Sequence, residues 1–294
     1  MSELTKVGFI TFGEGAAVAL ARAGGLFEAQ GLEVEVTRTP SSTEQMRGLI
    51  QDRWQIASTA FDNVLAWSER EGPEVVGIAR AGSGPDLPVY VRPEIRTWDD
   101  LRGKALAVDA VDTAYGLVLR RILQEHGLEL DRDYTFVPAG ATGYRLESME
   151  KGETFAGVLN PPWNARAEES GMWRIARHSD VVPGYPGGVI AVSRPWGEAN
   201  RGIVVGFLRA LVEAARWARD PSRRNAAASL VASATDLTEE RAARALDDIP
   251  DPLRPEPETF AIPLEIRLRF GLTPPHGPDV AAYLDHSYLE EAQA

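Results

Sequence analysis

Cysteine is absent from the chain. That excludes disulfides, thiolate nucleophiles, cysteine-based zinc sites and lipidation through an N-terminal Cys. It leaves the redox compartment open, because a chain without thiols is at ease in either one. No apolar run approaches the roughly 20 residues of a membrane span, so direct membrane insertion is not expected. Basic residues are outnumbered, 31 Lys and Arg against 43 Asp and Glu, for a net charge of −12. A nucleic-acid partner, which a binder meets with a basic surface, is therefore not expected. The four histidines (His126, His178, His276, His286) show no metal-ligand spacing, so neither a metal nor a cofactor is anticipated. A nucleophile elbow, a P-loop and a dinucleotide glycine fingerprint are missing as well. The first six residues run straight into an apolar strand, with no basic segment and apolar core of a secretory signal ahead of it. The expectation is a cytoplasmic protein if Met1 is the natural start, and a periplasmic or extracytoplasmic one if a signal has been removed.

What is present is a 294-residue chain with 44% hydrophobic and 25% charged residues. Such a chain is globular and builds one large domain or two ordinary ones. Strands and helices alternate through the first 190 residues. Strands are expected at 7–12, 32–37, 55–58, 74–79, 89–91, 105–108, 135–138, 156–160 and 189–193. Helices are expected at 16–30, 43–52, 63–70, 117–127, 142–151 and 163–169. This alternation specifies an α/β fold with helices on both faces of parallel or mixed sheets. After Pro195 the chain turns helical, with segments at 201–219, 222–233, 238–248, 260–270 and 279–291. Apolar residues at 204, 207, 208, 211, 212 and 215 give the first of these a buried face.

The segment 98–127 is the most informative. It reads as a charged turn, a buried strand, a polar loop (109–113) and an amphipathic helix. A strand that ends in a polar loop and restarts as a helix aims backbone N–H groups and the positive end of the helix dipole at one point. That is a ligand-binding device.

Several such pieces stand in a fixed order. They include Ala-Gly-Gly-Leu-Phe-Glu-Ala-Gln-Gly-Leu-Glu-Val-Glu-Val at 23–36, Trp-Gln-Ile-Ala-Ser-Thr-Ala at 54–60 and Asp-Leu-Arg-Gly-Lys-Ala-Leu-Ala-Val at 100–108. Over residues 5 to 245 the chain resembles the substrate-binding proteins of ABC importers, in the branch of nitrate, sulfonate, taurine and thiamine-pyrimidine-precursor binders. The resemblance implies a two-lobed fold of the type II periplasmic-binding-protein kind, with hinge strands and a helical C-terminal region. Lobe I would hold residues 1–86 plus 192–294 and lobe II residues 87–191, with hinge strands near 89–91 and 189–191. A small organic ligand would lie between the lobes, an ABC permease would be the partner, and the protein would be a monomer.

Each candidate site residue also has a plain structural reading. Thr11, Phe12 and Glu14 follow the first strand, with Phe12 as a stacking wall; the alternative is a strand-to-helix turn with Glu14 on the helix N-terminus. Ser41 and its neighbours precede a helix, where one hydroxyl caps and another is free to face ligand. The resemblance puts ligand contacts at Ser58 and Thr59; Asp62 either joins them or caps the next helix. Asp109, Asp112 and Thr113 lie in the polar loop. Two aspartates there would repel an anion and suit a neutral or positive, donor-rich ligand such as an amine or aminopyrimidine. The resemblance places further contacts near Asn160 and Trp163. Tyr185 precedes the second hinge strand and either closes over ligand or braces the turn.

Two functions follow from these residues. One is solute capture by lobe closure for a permease. The other is an enzyme, or a sensor, on the same fold, using an acid/base among Glu14, Asp62, Asp109 and Asp112 for decarboxylation, dehydration or hydrolysis of a small ring compound. A buried carboxylate pair with one raised pKa would favour the second. Enzymes of this fold that depend on cysteine, an aromatic sulfinate desulfinase and yeast-type thiamine pyrimidine synthases, offer no model for a chain without it.

Overall fold

A computed structural model describes residues 3–294 apart from 73, 83 and 85. Ten strands form two five-stranded sheets. The strands are β1 (Thr5–Thr11), β2 (Leu32–Arg38), β3 (Ile56–Ala60), β4 (Val75–Arg80), β5 (Pro88–Val91), β6 (Lys104–Val108), β7 (Tyr134–Pro138), β8 (Ala156–Val158), β9 (Trp173–Arg177) and β10 (Gly188–Ser193). The first sheet has the order β2-β1-β3-β10-β4 and the second β7-β6-β8-β5-β9. In each sheet one strand runs antiparallel to both its neighbours: β10 in the first and β5 in the second.

Those two strands are the ones that follow a crossing between sheets. The chain passes over between β4 and β5 and returns between β9 and β10. Each of the two strands expected as a hinge is thus built wholly into one sheet, and the crossing falls in the segment before it. The crossings run side by side. The Ala81 N–H donates to the Gly188 carbonyl at 2.8 Å and the His178 N–H to the Leu87 carbonyl at 3.0 Å. Gly187 is required here, because a Cβ would sit 2.1 Å from the Gly82 carbonyl oxygen.

The helices are α1 (Ala16–Ala23), α2 (Ser42–Ile50), α3 (Phe61–Trp67), α4 (Ala114–Glu125), α5 (Thr142–Glu150), α6 (Trp163–Glu169), α7 (Arg194–Ala199), α8 (Arg201–Arg219), α9 (Arg224–Ala234), α10 (Glu239–Ala245), α11 (Ala261–Arg269) and α12 (Ser287–Gln293). One face of the first sheet packs on α1, α8, α9, α10 and α12. Its other face packs on α2, α3 and the segment around Phe260 and Tyr283. The second sheet packs on α4 on one side and on α5 and α6 on the other. Helix α8 buries the apolar face read from its periodicity. Its Phe207 packs on Phe27 and Phe9, with ring centroids 4.9 and 5.7 Å away.

Several local readings need correction. The helix expected over 16–30 stops at Ala23, because Gly24 and a left-handed Gly25 (φ 69°) turn the chain before one 3-10 turn at Glu28–Gln30. The helix expected over 279–291 is broken, because Leu284 and Asp285 pair with Gly77 of β4 before α12 begins. The edge strand β9 and the short helix α7 were not anticipated. Helix α11, expected to belong with lobe I, touches both lobes: Leu264 joins the core beneath the first sheet and Ile266 that of the second.

Truncating Phe207 to Ala removes the ring that joins β1, α8 and the turn at Phe27. The expected loss is about 3–5 kcal/mol, read from urea unfolding. A loss below about 1 kcal/mol would mean the cluster does not hold this sheet.

Candidate functional site

The carboxyl ends of the parallel strands in the two sheets face each other, the place where open α/β sheets take ligands. Several helices begin there, among them α2 from one lobe and α4 and α5 from the other. Their N-terminal N–H groups have no partner inside the helix and carry the positive end of its dipole. Ser41 caps α2 by accepting from the Glu44 N–H at 3.1 Å. The next N–H, that of Ser42, donates to both carboxylate oxygens of Asp109, at 3.1 Å each, from the opposite lobe. At α4 the relation is reversed. Thr113 occupies the cap position without making a cap bond, and the Ala114 N–H donates to the carboxylate of Asp62 from the first lobe.

Further contacts secure this closure. The Ala141 N–H donates to the Pro40 carbonyl at 2.7 Å. Arg267 of α11, 6% exposed, reaches Asp62 at 3.2 Å and the Asp112 carbonyl at 3.0 Å. Arg70 pairs with the Asp112 carboxylate at 3.1 Å. Burial pushes the Asp62 carboxyl up to about 6, with Arg267 and the Ala114 N–H pulling against it.

Between these contacts lies a cavity of about 140 Å³. Its walls include Phe12, Val108, Tyr115 and Leu119, with polar groups from Asn63, Asp109, Thr142, Arg145 and Asn160. Asn63 is 1% exposed. Its Nδ2 donates to the Thr59 hydroxyl at 2.9 Å. Its Oδ1, like that of Asn160, has no hydrogen-bond partner among the described residues. Arg145 is 7% exposed. It donates to the carbonyls of Gly140 (2.7 Å) and Val158 (3.1 Å) and to the Thr142 hydroxyl (2.9 Å). Burial lowers its pKa to about 10, and the Asp109 charge opposes that fall. Phe12, Thr142 and Asn160 also border an outer groove of about 850 Å³, which Arg38, Tyr144, Trp163 and Arg166 line.

The structure brings Phe12, Asp109 and Asn160 together in the cavity wall and puts Trp163 in the outer groove. It gives the other expected residues different partners. The Thr11 hydroxyl donates to the Gly13 carbonyl. Glu14 takes a bidentate ion pair from Arg22 at 2.8 Å. Ser41 is the helix cap. The Ser58 carbonyl accepts from Gln45. Thr59 orients Asn63. Asp62 and Asp112 tie the lobes. The Thr113 hydroxyl is buried without a partner among the described residues. Tyr185 packs between Tyr115 and His178. Among the described residues no group of three or more His, Asp and Glu is placed to hold a metal.

Asn63, Tyr115, Thr142 and Arg145 were not anticipated. Arg145 had a signal: it stands in the inward stripe of α5 with Thr142, Leu146 and Met149, where an arginine needs buried partners. Arg267 had none, since its carboxylate partner lies 205 residues away.

The NMT1-like family model matches residues 97–232, within the stretch that carries the resemblance read from the sequence. The periplasmic nitrate-binding protein NrtA from Synechocystis PCC 6803 superposes with a TM-score of 0.78 at 13% identity, over 99% of this chain and 88% of that one. The fold is that of the periplasmic binding proteins. The alkanesulfonate-binding protein SsuA from Xanthomonas axonopodis pv. citri, bound to MOPS, gives 0.75 at 17% identity, over 97% of this chain and all of that one. A bicarbonate transport ATP-binding protein, CmpC of Synechocystis PCC 6803, is 28% identical over 141 residues, which is 44% of this chain. The chain spans about a fifth of the length of such curated relatives. Among the described residues no helix is long and apolar enough to cross a membrane.

Because the Asp62 carboxyl stands near 6 when folded and at 3.8 when free, folding takes up a proton between those values. Its contribution is fully present below 3.8 and lost as pH rises through about 6. The melting temperature of the wild type should therefore rise relative to Asp62→Asn as pH falls from about 7 to 5, by a few degrees. Parallel calorimetric profiles would sink this assignment.

Proposed function

We propose that the protein captures a small organic solute in the cleft between its lobes and delivers it to the permease of an ABC importer, on the extracytoplasmic side. The carrying observation is the interlobe cavity with two amide oxygens, Asn63 Oδ1 and Asn160 Oδ1, that lack partners among the described residues. A buried acceptor left unsatisfied costs about 1–3 kcal/mol, so a ligand that donates to both removes that cost. The aromatic walls Phe12 and Tyr115 suit a flat group. A cavity of about 140 Å³ compares with engineered sites near 150 Å³ that hold benzene, and so takes one ring with small substituents. The solute is nitrogen-containing or aromatic, with at least two N–H or O–H donors. Larger substituents would extend into the outer groove. Capture follows from closure: ligand contacts from both lobes stabilise the closed form by their differential affinity. The periplasmic fold and the transport proteins among the relatives support this reading.

One observation favours an enzyme instead, the raised pKa of Asp62. Its oxygens are engaged by Arg267 and the Ala114 N–H, however, and it does not line the cavity. A solute in the cavity does not meet it.

A thermal-shift panel of aminopyrimidines, aromatic amides, amines, sulfonates and aromatic acids tests the function. At least one neutral, donor-bearing single-ring compound should stabilise the protein by mass action and be recovered unchanged. Asn63→Ala and Asn160→Ala should each weaken it roughly 3- to 10-fold, the loss of one hydrogen bond. Chemical conversion of the hit on incubation would overturn solute capture.

A further inference from the structure

We propose that Asp109 is a built-in anion that makes the cleft reject anionic solutes. This rests on the solute-binding reading above. Four observations carry it. The N-terminus of α2, aimed into the cleft, would otherwise be a seat for an anion, and the Asp109 carboxylate fills it through two contacts of 3.1 Å to the Ser42 N–H. Asp109 also lines the cavity together with Arg145, the one cation in its wall among the described residues, and supplies the opposing charge that this buried guanidinium feels. The guanidinium spends three of its five N–H groups on two carbonyls and the Thr142 hydroxyl. Among the described residues, the fully buried side-chain atoms of the wall that lack a partner, Asn63 Oδ1 and Asn160 Oδ1, are both acceptors.

An anion entering this space meets a carboxylate that has already taken the Ser42 N–H and acts on the arginine from the same wall. Two further oxygens would face it. A neutral donor meets none of these penalties. A second cleft helix repeats the arrangement, since Asp62 fills the N-terminus of α4. The first N–H of each of these two helices is therefore taken, and the first turn of α5 (Thr142, Gly143) borders the outer groove. Asp109 is the specificity-determining member, because it lines the cavity and Asp62 does not.

A pair of probes of nearly equal shape tests this. Ethanesulfonamide is neutral and bears an N–H₂; ethanesulfonate is an anion with oxygen in its place. Calorimetric titration of the wild type should give tighter binding of the sulfonamide. Asp109→Ser empties the α2 seat and frees Arg145, so the preference should shift toward ethanesulfonate by at least ten-fold. If that variant does not melt cooperatively, Asp109→Asn, which keeps the shape and removes the charge, should shift the ratio the same way by at least three-fold. A wild type that binds both probes equally, or variants that leave the ratio unchanged, would overturn the role of Asp109. Failure of both probes on all three proteins overturns it as well. The neutral panel on the wild type then decides the wider reading: a hit there leaves solute capture standing, and no hit removes both.

Discussion

The arrangement of the cleft depends on two carboxylates, each seated on the N-terminus of a helix from the opposite lobe. Asp109 bonds the first N–H of α2 and Asp62 the first N–H of α4. A charge at a helix N-terminus in a partly buried setting is worth up to about 2 kcal/mol, and at Asp62 that gain stands against the cost of burying the carboxylate. Both contacts cross the cleft and must break for the lobes to separate. Around this pair the other interlobe contacts fall into place: the Pro40–Ala141 backbone bond, the Arg70–Asp112 pair, and Arg267 lying between Asp62 and the Asp112 carbonyl.

The same pair explains why the cavity has the polarity it has. With these two helix ends filled, the cavity wall offers apolar surface, amide oxygens and a guanidinium whose burial the Asp109 charge opposes. The closed form therefore does not depend on an anion to neutralise the helix ends. Helix α11 adds a restraint from outside the two sheets. Its Leu264 and Ile266 enter cores on opposite sides of the cleft, while its Arg267 completes the coordination of Asp62. The C-terminal region is in this way part of the cleft's closure as well as a cover for the first lobe.

Much of the fold was legible in the sequence. Period-two and period-3.6 patterns gave the β/α alternation, and α8 buries the face its spacing indicates. Elements failed where a local signal competed with a distant one. The helix read through Gly24-Gly25 was cut by backbone conformation, and the helix read through Leu284 by pairing with Gly77. Of the strand-end loops read from the sequence, those carrying Phe12, Asp109 and Asn160 line one cavity. The loops carrying Thr11, Glu14 and Ser41 look alike in sequence but spend their side chains on local partners, and only distances separate the two cases.

The sequence by itself determined the class of fold, the loops that meet at the cleft, and the absence of thiol chemistry, because these follow from composition and from periodicities a few residues long. It also placed acidic side chains where an anion would be expected to sit. Only the tertiary structure decided which carboxylate reaches which helix, that Arg145 and Asn63 line the cavity, and that Arg267 answers Asp62 from 205 residues away. The reason is that hydrogen-bond satisfaction and charge pairing act over 3 Å in space with no fixed spacing along the chain, so they become readable only when the two lobes stand face to face.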